Sequence, residues 1–224
     1  MGVLRIMVAD DHEVVRKGLV ALLQAQPDWQ VCGEAGDGRE AVEKAIQLKP
    51  DILILDIGMP SLNGLEATRQ ILKTIPNARV LILTLHDSDQ VVREVLNAGA
   101  RGFLLKSDAA RDLVAAVEAL RHDKTYFTSK VAAMVLEGYL KGGTPGAVIT
   151  PGRNRLTPRE REIVQLLAEG KSTKEVAVAL GLSVKTAETH RSNIMRKLQL
   201  HSVSDLVLYA VRNNIVHVVQ AGIE

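Results

Sequence analysis

Asp51-Ile-Leu-Ile-Leu-Asp56 is an apolar run that stops at a carboxylate. Its apolar residues are consecutive rather than alternating, as expected of a central strand buried on both faces of a parallel sheet. Three other runs end in the same manner. Val3-Leu-Arg-Ile-Met-Val-Ala9 stops at Asp10 and Asp11, Arg79-Val-Leu-Ile-Leu83 at Thr84, and Gly102-Phe-Leu-Leu105 at Lys106. In an open α/β sheet the ligand crevice lies outside the carboxyl ends of the strands. Four separate stretches therefore deliver three carboxylates, a hydroxyl and an ammonium to one place.

Between these runs the apolar residues recur at helical spacing. Helices are predicted over Glu13–Gln24, with Val14, Leu19, Leu22 and Leu23, and over Gly38–Leu48, with Ala41, Val42, Ala45 and Ile46. Gly64–Ile75, Asp89–Asn97 and Asp108–Leu120 follow the same rule. With a further strand-like run at Trp29-Gln-Val31, strands and helices alternate five times, which is a parallel sheet covered on both faces. Thr128–Lys141 is another helix pattern. Gly142–Asn154, with four glycines and two prolines, reads as a linker. The domains expected are 1–121, a connecting helix and linker over 122–154, and 155–224.

Three close carboxylates repel one another and drive their pKa values up unless a cation holds them. A hard divalent ion is the economical solution, and Mg²⁺ suits one or two carboxylates plus a phosphate. Asp56 is the expected nucleophile, since a carboxylate can take a phosphoryl group as an acyl phosphate. Asp11 and Asp56 would hold the metal, with Asp10 nearby, partly through water. Lys106 would place a positive charge on one phosphoryl oxygen, and Thr84 would donate its hydroxyl to another. Singly, each residue has an ordinary reading: an Asp after a strand is usually a turn or cap residue, and Asp10 could simply cap the helix that follows. Together, at successive strand ends, they favour the phosphoryl site.

At 224 residues, 46% hydrophobic and 24% charged, the composition is that of a soluble globular protein of one or two domains. No apolar run approaches the roughly 20 residues needed to cross a bilayer. The chain opens directly into a strand pattern with no visible signal peptide, and its one cysteine, Cys32, cannot form an internal disulfide; both fit a reducing cytoplasm. Charge is uneven: residues 1–150 carry 17 Lys+Arg against 19 Asp+Glu, and residues 151–224 carry 11 against 7. An acidic module is thus joined to one that tolerates polyanions.

After the linker the pattern is purely helical. Thr157-Pro-Arg-Glu160 and Ser172-Thr-Lys-Glu175 are capping boxes, Gly181 ends the second helix, Ser183 can cap the third and Ser202 the fourth. The tight Leu180-Gly-Leu182 turn between the second and third matches a helix-turn-helix. On a wheel of Val184–Leu198, Val184, Ala187, Ile194 and Leu198 form the core side. Lys185, Glu188, Thr189, Ser192 and Arg196 form the opposite stripe, flanked by Thr186, His190, Asn193 and Lys197. A polar stripe is normally a solvated face, but on this helix it is the face that enters the major groove of double-stranded DNA. The last helix carries Val203, Leu206, Val207, Leu208, Ala210 and Val211 around most of its circumference, so it needs a second surface. A two-fold partner meeting Leu206, Val207, Ala210 and Val211 would make a homodimer; alternatively the tail Ile215–Val219 folds back as cover.

Nearly the whole chain resembles two-component response regulators of the NarL/FixJ type. The first-half motifs are Ala9-Asp-Asp-His12, Leu55-Asp-Ile-Gly-Met-Pro60, Gly64, Thr84, Gly99-Ala100 and Gly102-Phe-Leu-Leu-Lys106. The second half, with Leu156-Thr-Pro-Arg-Glu160, Ser183-Val-Lys-Thr-Ala-Glu-Thr-His190, Ile194 and Lys197-Leu198, is similar to LuxR-type DNA-binding domains. The resemblance implies a flavodoxin-like (βα)5 receiver joined to an all-α, four-helix domain. It implies Asp56 as phosphoacceptor for a histidine kinase, and Mg²⁺ on Asp11, Asp56 and the Gly58 carbonyl. Thr84 and Phe103 would form the switch, Phe103 standing where such receivers often carry tyrosine. It further implies base contacts from Glu188, Thr189 and Ser192, and backbone contacts from Lys185, Thr186, His190 and Arg196. His86 reads as a loop residue near the pocket that tunes phosphoryl lifetime.

The expected protein is a phosphorylation-dependent transcriptional regulator and not an enzyme. A phosphatase with an aspartyl intermediate would carry a second Asp where Gly58 stands. A flavin-binding domain would not place Asp10 and Asp11 where it must cradle a phosphate. The remaining alternative is a constitutive DNA-binding regulator with a vestigial receiver.

Overall fold

Four of the five strands alternate their side chains between two apolar layers, and that alternation builds the first unit. The computed structural model describes residues 2–85, 88–127 and 156–216. The chain divides into two units, Met1–Ile149 and Thr150–Glu224. In the first, β1 (Leu4–Ala9), β2 (Trp29–Ala35), β3 (Ile52–Asp56), β4 (Arg79–Thr84) and β5 (Gly102–Leu105) form one parallel sheet in the order β2-β1-β3-β4-β5. The helices between and after them are α1 (Glu13–Gln24), α2 (Gly38–Leu48), α3 (Gly64–Thr74), α4 (Asp89–Ala98) and α5 (Ala109–Arg121). Ile6, Val8, Ile52, Ile54, Leu81, Leu83 and Leu104 point to the layer holding Leu19 and Leu23 of α1 and Leu113 and Val117 of α5. Met7, Leu53, Leu55, Val80, Ile82 and Phe103 point to the other, against Ala41 and Ala45 of α2, Leu65 and Ile71 of α3, and Val91 and Val95 of α4. The strand order reverses between β1 and β3, and a ligand crevice opens at such a switch point.

Two of the apolar residues predicted for helix cores stand outside them. Val14 is 86% exposed and Ile46 39%. The sheet also gains an edge beyond Arg121. Tyr126 bridges to Gly102, and its carbonyl accepts from the Phe103 N–H at 2.9 Å. Residues through Phe127 thus pack on the first unit. The predicted helix Thr128–Lys141, the linker Gly142–Asn154 and His86 lie outside the described residues.

The loop from β3 to α3 is fixed by backbone contacts. The Gly64 N–H donates to the Ile57 carbonyl at 3.0 Å and the Leu62 N–H to the Pro60 carbonyl at 2.7 Å. Asn63 caps α3 by accepting from the Glu66 N–H. A Cβ on Gly64 would lie 2.0 Å from the carbonyl oxygen of Asp56. Gly64→Ala is therefore expected to cost about 3 kcal/mol by overpacking and to displace Asp56. Thermal unfolding and phosphoryl uptake would both register it; a variant unchanged in both would contradict the contact.

The second unit is α6 (Pro158–Ala168), α7 (Thr173–Ala179), α8 (Val184–Leu198) and α9 (Val203–Arg212). Both predicted capping boxes form, and a third joins Ser202 to Asp205. Its core gathers Ile163, Val164, Leu166, Val176, Ile194, Leu206 and Ala210. Leu206 and Ala210 are 1% and 0% exposed. Two of the four residues assigned to a dimer surface are thus consumed by their own domain, since i and i+4 on a helix share one face. Ile215 also joins this core, so the tail folds back at least to Val216. Val203 and Leu208 remain about half exposed, and Val207 and Val211 are partly buried. Val184, predicted to face the core, is 40% exposed.

Candidate functional site

Asp10 and Asp11 follow β1, Asp56 ends β3, Thr84 ends β4 and Lys106 follows β5. The parallel register aligns these ends, with Asp56 opposite Leu83 and Thr84 opposite Leu105. Lys106 Nζ lies 2.8 Å from Asp10 Oδ2 and 3.0 Å from Asp56 Oδ2. Asp10 and Asp56 are buried, and the side chain of Asp11 is about a quarter exposed. Ligand atoms of Asp10, Asp11, His12 and Asp56 all lie within 4.8 Å of one another.

Asp10 does not cap α1. Its Oδ1 accepts from the His12 N–H at 2.9 Å, and α1 begins without a side-chain cap. Its Oδ2 faces Lys106 without a well-angled hydrogen bond. The His12 imidazole, which no spacing in the sequence marks as part of the site, lies 2.7 Å from Asp11 through Nδ1. Burial pushes the Asp56 carboxyl up to about 6. The charge of Lys106 pulls it down, and Asp10 and then Asp11 push it further up. Burial would depress the Lys106 ammonium, but Asp56 and Asp10 outweigh it and hold it above the usual lysine range. The pocket is thus one cation short of comfort for three acids. An oxygen-lined cluster with an under-bonded buried oxygen fits a hard divalent ion, whose ligands would come from Asp10, Asp11 and Asp56. Thr84 and Phe103 are both buried, Phe103 within the layer that holds Val91 and Val95.

In the second unit, Lys185, Thr186, Glu188, Thr189, Ser192 and Arg196 are exposed on α8, and His190 is partly buried. Ser183 and Thr186 share a hydroxyl–hydroxyl hydrogen bond of 2.8 Å, and the Thr189 hydroxyl donates to the Lys185 carbonyl at 2.9 Å. Lys197, expected with that stripe as a DNA contact, forms an ion pair within its own domain. Its Nζ lies 2.6 Å from Glu160 Oε2, across from the capping box of α6. Burial would raise Glu160, but Lys197 and the Thr157 N–H outweigh it and hold the carboxyl below its usual range. Lys197 therefore joins α8 to α6. Lys197→Ala should lower stability by about 1 kcal/mol, whereas Arg196→Ala should leave stability unchanged and reduce the salt slope of DNA binding by about 1. Melting and anisotropy titrations at several salt concentrations separate the two; the reverse pattern would overturn the assignment.

A family model for the response regulator receiver domain matches residues 6–118, and one for bacterial regulatory proteins of the luxR family matches residues 154–210. The chain belongs to the LuxR-type response regulators. It is 39% identical over 214 residues to the transcriptional regulatory protein LiaR of Bacillus subtilis (strain 168), covering 96% of this chain and 100% of that protein. It is 38% identical to the oxygen regulatory protein NreC of Staphylococcus carnosus (strain TM300), covering 95% and 99%. Among solved structures it resembles RcsB from Salmonella enterica serovar Typhimurium bound to promoter rprA in the presence of phosphomimetic BeF₃⁻. That match has a TM-score of 0.59 at 27% identity, covering 92% of this chain and 97% of that one. This response regulator accordingly has a receiver and a DNA-binding domain of a family of transcriptional regulators, not enzymes. Among the described residues no helix is long and apolar enough to cross a membrane.

Proposed function

We propose that a histidine kinase transfers a phosphoryl group to Asp56 and that the modified protein binds double-stranded DNA as a homodimer in the cytoplasm. The observation that carries this is the convergence of Asp10, Asp11 and Asp56 at the switch point of the sheet, with the Lys106 ammonium on Asp10 and Asp56. Mg²⁺ held by Asp10, Asp11, Asp56 and the Gly58 carbonyl would neutralise charge on the incoming phosphoryl oxygens. An Asp56 oxygen attacks phosphorus, the bond to the donor breaks, and Lys106 Nζ stays to pair with a phosphoryl oxygen, releasing its hold on Asp56. The Thr84 hydroxyl donates to a second oxygen. Thr84 then leaves its place at the end of β4, and Phe103, buried on the neighbouring strand, fills the space. Added phosphate charge acts by such local recruitment.

On α8, Glu188, Thr189 and Ser192 read base edges, and Lys185, Thr186, His190 and Arg196 hold the phosphate backbone. The dimer surface of α9 is narrowed to Val207 and Val211, joined by Val203 and Leu208. The RcsB complex with a promoter and a phosphate mimic supports this reading for a relative of matching length. The test is intact-mass analysis with Mg²⁺ and a small phosphodonor, followed by sizing and DNA titration of the product. An adduct of one phosphoryl group on wild type, absent from Asp56→Asn, is expected. Its absence from folded wild type, with DNA binding intact, would establish the constitutive regulator instead.

A further inference from the structure

The main chain of Asp10 is held from two sides. Its N–H donates to the Ala35 carbonyl on β2 at 3.2 Å. Its carbonyl accepts from Arg16 Nη1 on the first turn of α1 at 2.6 Å. Arg16 is itself anchored, with Nε 3.3 Å from Glu34 Oε2, and its side chain is only 16% exposed. Glu34 sits on β2 opposite Val8, and Lys44 of α2 donates to its carbonyl at 2.7 Å. A polar brace therefore runs from α2 through β2 and α1 to the peptide joining Asp10 to Asp11.

That peptide is where the brace matters. A trans peptide is planar, so fixing the Asp10 carbonyl oxygen also fixes the nitrogen and Cα of Asp11. The direction of the Asp11 carboxylate follows. Asp11 is the least buried of the three acids, so the core does little to hold it. Groups that orient ligands without touching the ion typically govern metal affinity.

We propose that Arg16 is a positioning residue for the cation site, acting through the Asp10–Asp11 peptide and anchored by Glu34. This rests on the reading of the acidic pocket as a divalent-cation site. Arg16 touches neither the ion nor the phosphoryl group. Its guanidinium bridges two acceptors at once, which the single ammonium of lysine does not reproduce.

The experiment is calorimetric titration of Mg²⁺ into the full chain, with melting in EDTA as a separate readout. Arg16→Met is expected to raise the Mg²⁺ Kd by about 10- to 100-fold. Arg16→Lys should recover part of that loss. Glu34→Met, which removes the anchor and leaves Arg16, should raise the Kd by a smaller factor, and the double variant should be no worse than Arg16→Met. If Arg16→Met fails to fold, Glu34→Met decides the matter. A Kd within about twofold of wild type in either folded variant, whatever its melting point, overturns the proposal. A wild-type chain that binds no Mg²⁺ overturns it together with the metal reading of the pocket, whereas tight wild-type binding that these variants share overturns the positioning role alone.

Discussion

Asp56→Asn is expected to abolish phosphoryl uptake and, in the absence of metal, to make the protein more stable at pH 7. The first effect follows from removing the nucleophile. The second follows from the cost of ionising a carboxyl group that is 4% exposed. Burial raises its pKa from 3.8 to about 6. The folded state therefore binds a proton more tightly than the unfolded chain does. Stability falls as pH rises from the unfolded value to the folded one, and the penalty is fully present above about pH 6. A shift of this size corresponds to about 3 kcal/mol, or on the order of 10 °C in melting temperature for a domain of this length. Asparagine carries no such penalty. The melting difference between variant and wild type in EDTA should be near zero at pH 4 and grow through pH 6. Saturating Mg²⁺ should shrink it, because an ion bound only to the folded wild type restores stability by mass action. A difference independent of pH would show that the Asp56 charge is not the source.

Why so much of this pocket was legible is a matter of strand physics. A parallel strand buried on both faces must be apolar along its length, so the first polar residue after each run marks its carboxyl end. β1 and β5 therefore run to their predicted carboxyl ends, Ala9 and Leu105, while β3 and β4 each run one residue further and take in Asp56 and Thr84 themselves. α3 ends one residue before its predicted limit. β2 was the poorest of the five. Its apolar pattern covers three residues but the strand extends to Ala35, because edge strands mix exposed and buried positions and Glu34 breaks the pattern. The brace through Arg16 was invisible for a related reason. Glu34 faces Val8 only because the register slips between Ile6 and Met7, so that Val31 and Gly33 are paired and Cys32 is passed over. No spacing in the sequence records such a slip.

The second unit shows the complementary limit. A helical wheel gives the direction of a side chain but not what the neighbouring helix presents there. The wheel puts Lys197 beside the DNA face, and its partner is Glu160, 37 residues earlier. The wheel leaves Leu206 and Ala210 free for an outer face because the last helix is apolar nearly all round. Only packing against α6 reveals which side is inner.

Lys106→Met should produce the largest loss of stability of any single change in the pocket. The ammonium lies within 3.0 Å of two carboxylates, and its own side chain is 7% exposed. Methionine fills a similar volume, so packing is nearly conserved and the electrostatic effect is isolated. What remains is a pair of buried acids with no cation between them, and removing one partner of a buried charged pair typically costs 3–5 kcal/mol, here taken as about 4 kcal/mol at pH 7 in EDTA. Three manipulations should restore stability, each by a different route. Acid protonates the carboxylates, Mg²⁺ replaces the missing charge, and Asp56→Asn in the same chain removes one of the two acids. The last is the sharpest, because destabilisation by a missing positive charge should be reversed by deleting a negative one. The double variant should melt well above Lys106→Met alone, while two independent packing defects would simply add. A Lys106→Met protein that melts as wild type does at pH 7 in EDTA would mean that the carboxylates are already neutral there, and the pocket would need its cation less than its geometry suggests.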